Sequence, residues 1–379
     1  MNACADAAGR RGRLRTWLAT LAAILPLAAC TAPLTAGDVP SFDPLDMDSA
    51  VAVESQAAGL PGMPPTDGAY AFQDAMHSPD IIPANPARWN VTIDAIMLWQ
   101  GFAEGLPLMV DAAGAVALNA NDLRTQMGAG PRASLTRALS ECHSLEGNYF
   151  LARPFNVGFE VPPGAGPYTM TNFGDLAFDD LESATVTGDG FIQSAEINWR
   201  KNEWYSPITW IAGFRWVEIN STVAMDYQFA NPDPYGSGSV ATRAGNSLYG
   251  GQLGADVRLW DRGAKWQINA IGKAGVFYNS AFQRSTAGFV TTGGSPFPLG
   301  SVSAAGSQTA FFGELGLTTT YRVTDWLAWR AGYSVFWAAG VATPAQQFPL
   351  NSFGDVTATI DTTGSLMLHG LTTGLEARW

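Results

Sequence analysis

The chain has 379 residues, of which only 14% are charged, with a formal net charge of −12, 41 Gly and 13 Trp. Soluble domains carry roughly 25% charged residues, and an acidic chain is a poor partner for nucleic acid, whose phosphates are held by clustered Lys and Arg. Mean hydropathy is near zero and no apolar run of about 18 residues follows residue 30, which excludes a bundle of membrane-crossing helices; membrane-crossing strands hide their apolar half in alternation and leave the mean untouched.

In chain order, residues 1–30 predict an export signal. Arg10, Arg11, Arg13 and Arg15 form a basic start, Trp17 to Ala29 an apolar stretch, and Leu27-Ala28-Ala29-Cys30 matches a lipobox. Two outcomes stay open: lipidation of Cys30, or cleavage near Ala36 that discards it. Loss of residues 1–29 removes four Arg and one Asp and makes the chain more acidic still. Residues 31–86, rich in Pro, Ala, Gly, Asp and Met, predict a disordered periplasmic linker. Only Cys142 falls beyond them, and one cysteine makes no disulfide or CxxC site within the remaining domain.

From residue 87 to 379 the texture is that of an all-β domain: runs of about 10–16 residues alternate apolar and polar with period two. The first places Trp89, Val91, Ile93, Ala95, Met97 and Trp99 on one face, and Asn90, Thr92 and Asp94 on the other, followed there by Ile96 and Leu98. Ten residues separate its two Trp, which at ~3.3 Å per residue and ~40° of tilt is about 25 Å of height, the lipid-facing band of an outer-membrane barrel. Like runs start near Phe191, Ile208, Tyr249, Trp266, Phe311 and Leu327, with weaker ones at 130–139 and 144–152. The last puts Leu371, Thr373, Leu375, Ala377 and Trp379 on one face, a terminal pattern of the kind that barrel-insertion machinery reads.

Ten strands result, and the connections alternate between short (140–143, 201–205, 261–264, 324–326) and long (101–128, 153–187, 221–245, 281–308, 338–363). A closed antiparallel barrel with short periplasmic turns and long outer loops has this rhythm. Lipid excludes ionised groups at mid-height, so Asp94, Glu196, Arg215, Asp256, Arg258, Lys273, Glu314, Arg330 and Glu376 are expected to face the lumen. There they either plug the barrel or line a selective channel. Trp89, Trp99, Trp199, Trp210, Trp216, Trp266, Tyr278, Trp329, Trp337 and Trp379 are expected to form the aromatic girdles. Ten strands enclose a narrow interior, so any pore is a narrow one.

The segments Phe191-Ile-Gln-Ser-Ala-Glu-Ile-Asn-Trp199, Trp210-Ile-Ala-Gly-Phe-Arg-Trp216 and Trp89-Asn-Val-Thr-Ile-Asp-Ala-Ile-Met-Leu-Trp99 resemble the β-barrel porin-7 family of outer-membrane proteins, over roughly residues 87–379. The resemblance implies an outer-membrane barrel and, by the family's name, a porin. It brings no substrate and no functional residues.

No catalytic constellation emerges. His77 lies in the linker, His143 in a short turn and His369 on the apolar face of the last strand, so no His reaches a long loop, where an omptin-type protease needs Asp and His. No nucleotide-binding loop follows a strand, and no cofactor is implied. Asp175, Asp179, Asp180 and Glu182 of loop 153–187 are weak candidates for a divalent cation, or simply a solvated acidic loop. The sequence-level conclusion is an exported outer-membrane barrel contacting lipid, either a narrow porin for small solutes or a closed barrel presenting acidic loops.

Overall fold

The computed structural model describes residues 88–379 apart from 102–104, 124–125, 165–166, 177, 203–205 and 263–264. The expected signal, linker, Cys30 and His77 lie outside the described residues. Ten strands form the wall: β1 (Trp89–Gln100), β2 (Gly128–Ala138), β3 (His143–Ala152), β4 (Leu181–Asn202), β5 (Ile208–Phe229), β6 (Tyr235–Arg262), β7 (Trp266–Thr291), β8 (Pro296–Arg322), β9 (Leu327–Val341) and β10 (Gly364–Arg378). Each pairs antiparallel with its sequence neighbours, β1 pairs with β10, and β3 pairs with β4, so the sheet closes on itself. An eleventh strand, Val157–Val161, continues beside the outer part of β4 after β3 has ended. Closure matters energetically because every ladder N–H and C=O finds a partner, which is the condition for spanning hydrocarbon.

Register fixes which face is which. Ile93 stands opposite Leu375 and Ala133, and Asp94 opposite Gly374 and Arg132. With period-two side chains this sends one set wholly outward and the other wholly inward. The outward set is apolar and uncovered: Ile93, Leu253, Val276, Leu315 and Leu375 are each more than half exposed. The ten expected girdle aromatics all stand on this outward face. Trp89, Trp199, Trp210, Trp266, Trp329 and Trp379 lie towards the short-turn end, and Trp99, Trp216, Tyr278 and Trp337 bound the band above. His369 is outward too, its Nδ1 2.6 Å from the Tyr333 hydroxyl, while His143 stacks on Trp199 at 5.1 Å. Cys142, in the turn between β2 and β3, is buried.

Two of the expected long loops are not loops. Segments 221–245 and 281–308 continue the ladders of β5–β6 and β7–β8 up to tight turns at 230–234 and 292–295. The reason is a reversal of phase. On β5 the outward residues Trp210, Ala212, Phe214 and Trp216 are apolar; above them the inward residues Val217, Ile219, Val223, Met225 and Tyr227 are buried, with Glu218, Thr222, Asp226 and Gln228 outward. On β7 the same change follows Tyr278: Ala281, Ala287 and Phe289 are buried inside, while Arg284 and Thr286 face out. Below the switch the outside is greasy; above it the outside is wet and the inside is a core. Strands β4 to β8 therefore rise past the apolar band, β7 by about 30 Å at ~3.3 Å per residue and ~40° of tilt.

Candidate functional site

The lumen is filled in layers. Nearest the short-turn end, Arg200 joins Glu146 and Asp256, both at 2.5 Å. Asn198 donates to Glu146 at 3.2 Å and accepts from Gln252 at 2.8 Å. Gly213 opposite Asn198 is required here, because a Cβ would stand 2.2 Å from the Asn198 Oδ1. On the β1–β10 side of the wall, Glu376 accepts from Asn90 at 2.9 Å, sits 3.7 Å from Arg330 and is hydrogen-bonded to Arg378.

Deeper, Glu314 is the hub. Its Oε1 receives Arg132 at 2.7 Å, and its Oε2 receives Arg215 at 2.8 Å and Lys273 at 3.1 Å. Lys273 also reaches Glu196 at 2.6 Å, Gln252 donates to Glu196, and Arg215 donates from Nε to Ser194 at 2.8 Å. The Arg215 guanidinium lies 4.6 Å from the Phe312 ring centroid and 5.9 Å from that of Phe150. Two pairs are set by register alone: Glu196 faces Arg215, and Lys273 faces Glu314. The contacts of Arg132 (β2) and Arg215 (β5) with Glu314 (β8) join non-neighbouring strands, so they cross the lumen. At the centre, Arg215, Lys273, Glu196 and Glu314 side chains are 0–3% exposed. Buried charges at this depth are tolerable only when paired. Here Arg132, Arg200, Arg215, Lys273, Arg330 and Arg378 each lie within 4 Å of one or more of the carboxylates Glu146, Glu196, Asp256, Glu314 and Glu376.

Of the nine charged residues expected in the lumen, the structure brings Glu196, Arg215, Lys273 and Glu314 into one cluster. Asp256 joins the Arg200 group, and Arg330 and Glu376 pair near the rim. Asp94 is 7% exposed, and its Oδ1 has no hydrogen-bond partner among the described residues. Arg258 stands apart, half-exposed beside a register shift at the end of β6, 3.9 Å from Asp261. Sequence reasoning missed Arg132, Glu146 and Arg200. The first two sit in weak runs, where Pro131 and Gly147 dilute the apolar alternation that would have assigned their face.

Above the charges comes an apolar layer. Phe150 and Phe336, from strands not paired with each other, meet in a tilted contact at 5.2 Å, and Phe312 meets both Phe277 and Phe336 at 6.2 Å. Ile96, Leu98, Val217, Leu248 and Leu368 complete it, all buried.

The connection 342–363 then folds into the barrel mouth, through a helical turn at Pro344–Gln347. Asn246 grips the backbone of Ala342 at both its C=O (2.8 Å) and N–H (2.7 Å). Gln283 donates to Asn351 at 2.9 Å, and Asn351 to Ser285 at 2.9 Å. The hairpin Pro107–Val110 with Val116–Asn119, joined by Thr169–Met170, adds Leu108, Met109, Leu118 and Met170 to an outer core that includes Phe173, Phe348 and Phe353.

The four acidic candidates of loop 153–187 do not converge. Asp175 accepts from the N–H of Gly354 (2.7 Å) and Phe353 (3.0 Å) and from the Ser352 hydroxyl (3.1 Å), tying two outer loops together. Partial burial pushes its carboxyl up, but these three donors outweigh that and hold it below the usual carboxylate value. Glu182 stands exposed on β4 and Asp179 on the loop before it. Among the described residues no three His, Cys, Asp or Glu side chains gather as a metal site.

No known family model matches the chain, and no curated protein matches it in sequence. Solved structures similar to it include the outer membrane protease OmpT from Escherichia coli (10% identity, TM-score 0.45, 80% of this chain and 100% of that one) and the translocator domain of the autotransporter NalP from Neisseria meningitidis (10%, 0.36, 82% and 95%). A Pseudomonas aeruginosa FadL homologue is also similar (10%, 0.28, 78% and 92%). At these TM-scores none of them decides the activity of this chain; its barrel rests on its own hydrogen-bond ladder.

Proposed function

We propose that this protein is an outer-membrane β-barrel with a closed lumen, which displays an outer sheet and loop cap to the cell's surroundings. It is not an open pore. One observation carries the reading: the Arg132–Glu314–Arg215–Lys273–Glu196 cluster spans the interior with its central groups sealed from solvent. A selective channel would instead keep such charges hydrated along a continuous path. The membrane assignment is supported by the uncovered outward band of Ile93, Leu253, Val276 and Leu315 between two aromatic girdles. Exposing each large apolar side chain to water costs roughly 1.5–3 kcal/mol, and lipid removes that cost. The last strand, with Leu371, Leu375 and Trp379 outward, is the segment that insertion machinery would engage. The polar outer wall, with Glu182, Asp189, Asp226, Arg243 and Arg284 exposed, is the surface left for partners or divalent cations.

Planar-bilayer recording tests this. Folded protein, verified by its heat-dependent gel mobility, is expected to insert without conductance steps at neutral pH. Reproducible unitary steps from the unmodified protein would overturn the closed reading and restore the narrow porin.

A further inference from the structure

The filling of the barrel is incomplete at one level. Between the apolar layer and the outer core lies an open-mouthed cavity of about 120 Å³. Its floor and sides include Phe155, Ile192, Ile219 and Leu368 of the apolar layer, and Leu123 and Val223 of the outer core close it from above. Around it packing is tight: Ile96, Leu98 and Leu118 are wholly covered. Four apolar residues that line the cavity, Leu106, Val157, Ala345 and Leu366, are left only partly buried. Among the described residues, the one charged residue on its border, Asp189, occupies an outward register position of β4 and is exposed.

We infer that this chamber binds an uncharged, apolar small molecule that enters from the loop side. Its volume is comparable with the roughly 150 Å³ of an apolar cavity that stays dry and takes up benzene, so the ligand is of single-ring size. Its lining is mostly apolar, although Gln100, Ser221, Thr343, Gln346 and Ser365 also border it, and an apolar void left empty weakens the fold in proportion to its size. The wall excludes entry of a lipid tail from the side. At this height β4 and β5 stay paired at Phe191–Asn220 and Ile192–Ile219, and the break after β3 is bridged by the Phe155 N–H to the Gly190 carbonyl at 3.0 Å and by Val157 paired with Gly188. The floor below is sealed by the phenylalanine layer and the charge cluster. The cap above hangs on side-chain bonds from Asn246, Gln283 and Asn351, so the chamber keeps its shape while its facing residues remain short of partners.

The test uses the full chain in phosphatidylcholine nanodiscs, with bromobenzene titrated calorimetrically and empty nanodiscs as background. Saturable one-to-one binding is expected. Ala345→Phe and Leu366→Trp, which fill the chamber, are expected to weaken it at least tenfold, whereas Leu253→Phe on the lipid face leaves it unchanged. Crystals of the unmodified protein soaked with bromobenzene are expected to show bromine anomalous signal beside Ile219 and Leu366, and this arm decides alone if the filled variants do not fold. No saturable component, equal binding by the filled variants, bromine elsewhere, or an acyl chain or segment of the protein itself in the chamber would each overturn the inference. The result reads the same whether or not the barrel conducts.

Discussion

The two halves of the barrel interior are closed by opposite chemistry. Towards the short-turn end, charged side chains from β2, β4, β5, β7 and β8 meet across the lumen and satisfy one another. Towards the loop end, phenylalanines give way to inserted loops held by Asn and Gln side chains. The difference follows from what surrounds each half. Where the outer face is apolar for lipid, the inner face takes the polar residues. Where the outer face meets water, the inner face carries an ordinary apolar core. The charged half is a single coupled unit that fails as a whole, and the loop half is a set of separate attachments that open one at a time.

The largest expected effect comes from breaking the hub. Glu314→Gln leaves Arg132, Arg215 and Lys273 crowded without their shared anion. Removing one partner of a buried pair costs about 3–5 kcal/mol, to be read as a lower urea midpoint for unfolding in lipid vesicles. Adding Lys273→Gln restores the balance of charge and is expected to recover part of that loss. A cost below about 1 kcal/mol for Glu314→Gln, the value of solvent-exposed pairs, would show that the lumen is wet and would end the contrast between the halves.

A smaller and local effect is expected from Asn246→Ala, which strips both bonds from the backbone of Ala342. Unsatisfied buried polar groups cost about 1–3 kcal/mol. Faster amide exchange is expected at Ala342 and its neighbours, with the urea midpoint nearly unchanged. A full shift of the midpoint would mean that the cap folds together with the charge cluster.

The smallest is at the surface latch. The Asp175 carboxyl is held below its ordinary value, so its contribution is complete at neutral pH and is lost as pH falls through that depressed value, below about 3.9. Asp175→Asn is expected to raise amide exchange at Phe353 and Gly354 at pH 7. Acidifying the unmodified protein below that range should abolish the difference between the two. A difference that persists in acid would assign the effect to shape and not to charge.

Sequence reading assigned the apolar face of the strong runs, because a Trp at each end of an alternating run, as in Trp89 to Trp99, leaves little choice of face. It failed at 221–245 and 281–308. There the alternation persists in Val223, Met225 and Tyr227, but its apolar phase has moved inside, and Ser, Thr and Gly soften the contrast. Glu196, Arg215, Lys273 and Glu314 could be assigned inward from parity alone. Their meeting across the lumen could not, since parity carries no information on which non-neighbouring strands face each other.

What the sequence by itself determined is the alternation, the strand number and the faces of the strongly alternating runs, because these follow from the two-residue repeat of an extended chain with one apolar side. Closure of the lumen, the extra height of β4 to β8 and the apolar chamber were decided only by tertiary structure. They depend on side-chain reach across a curved wall and on where distant loops come to rest, and both are set by packing between residues far apart in the chain.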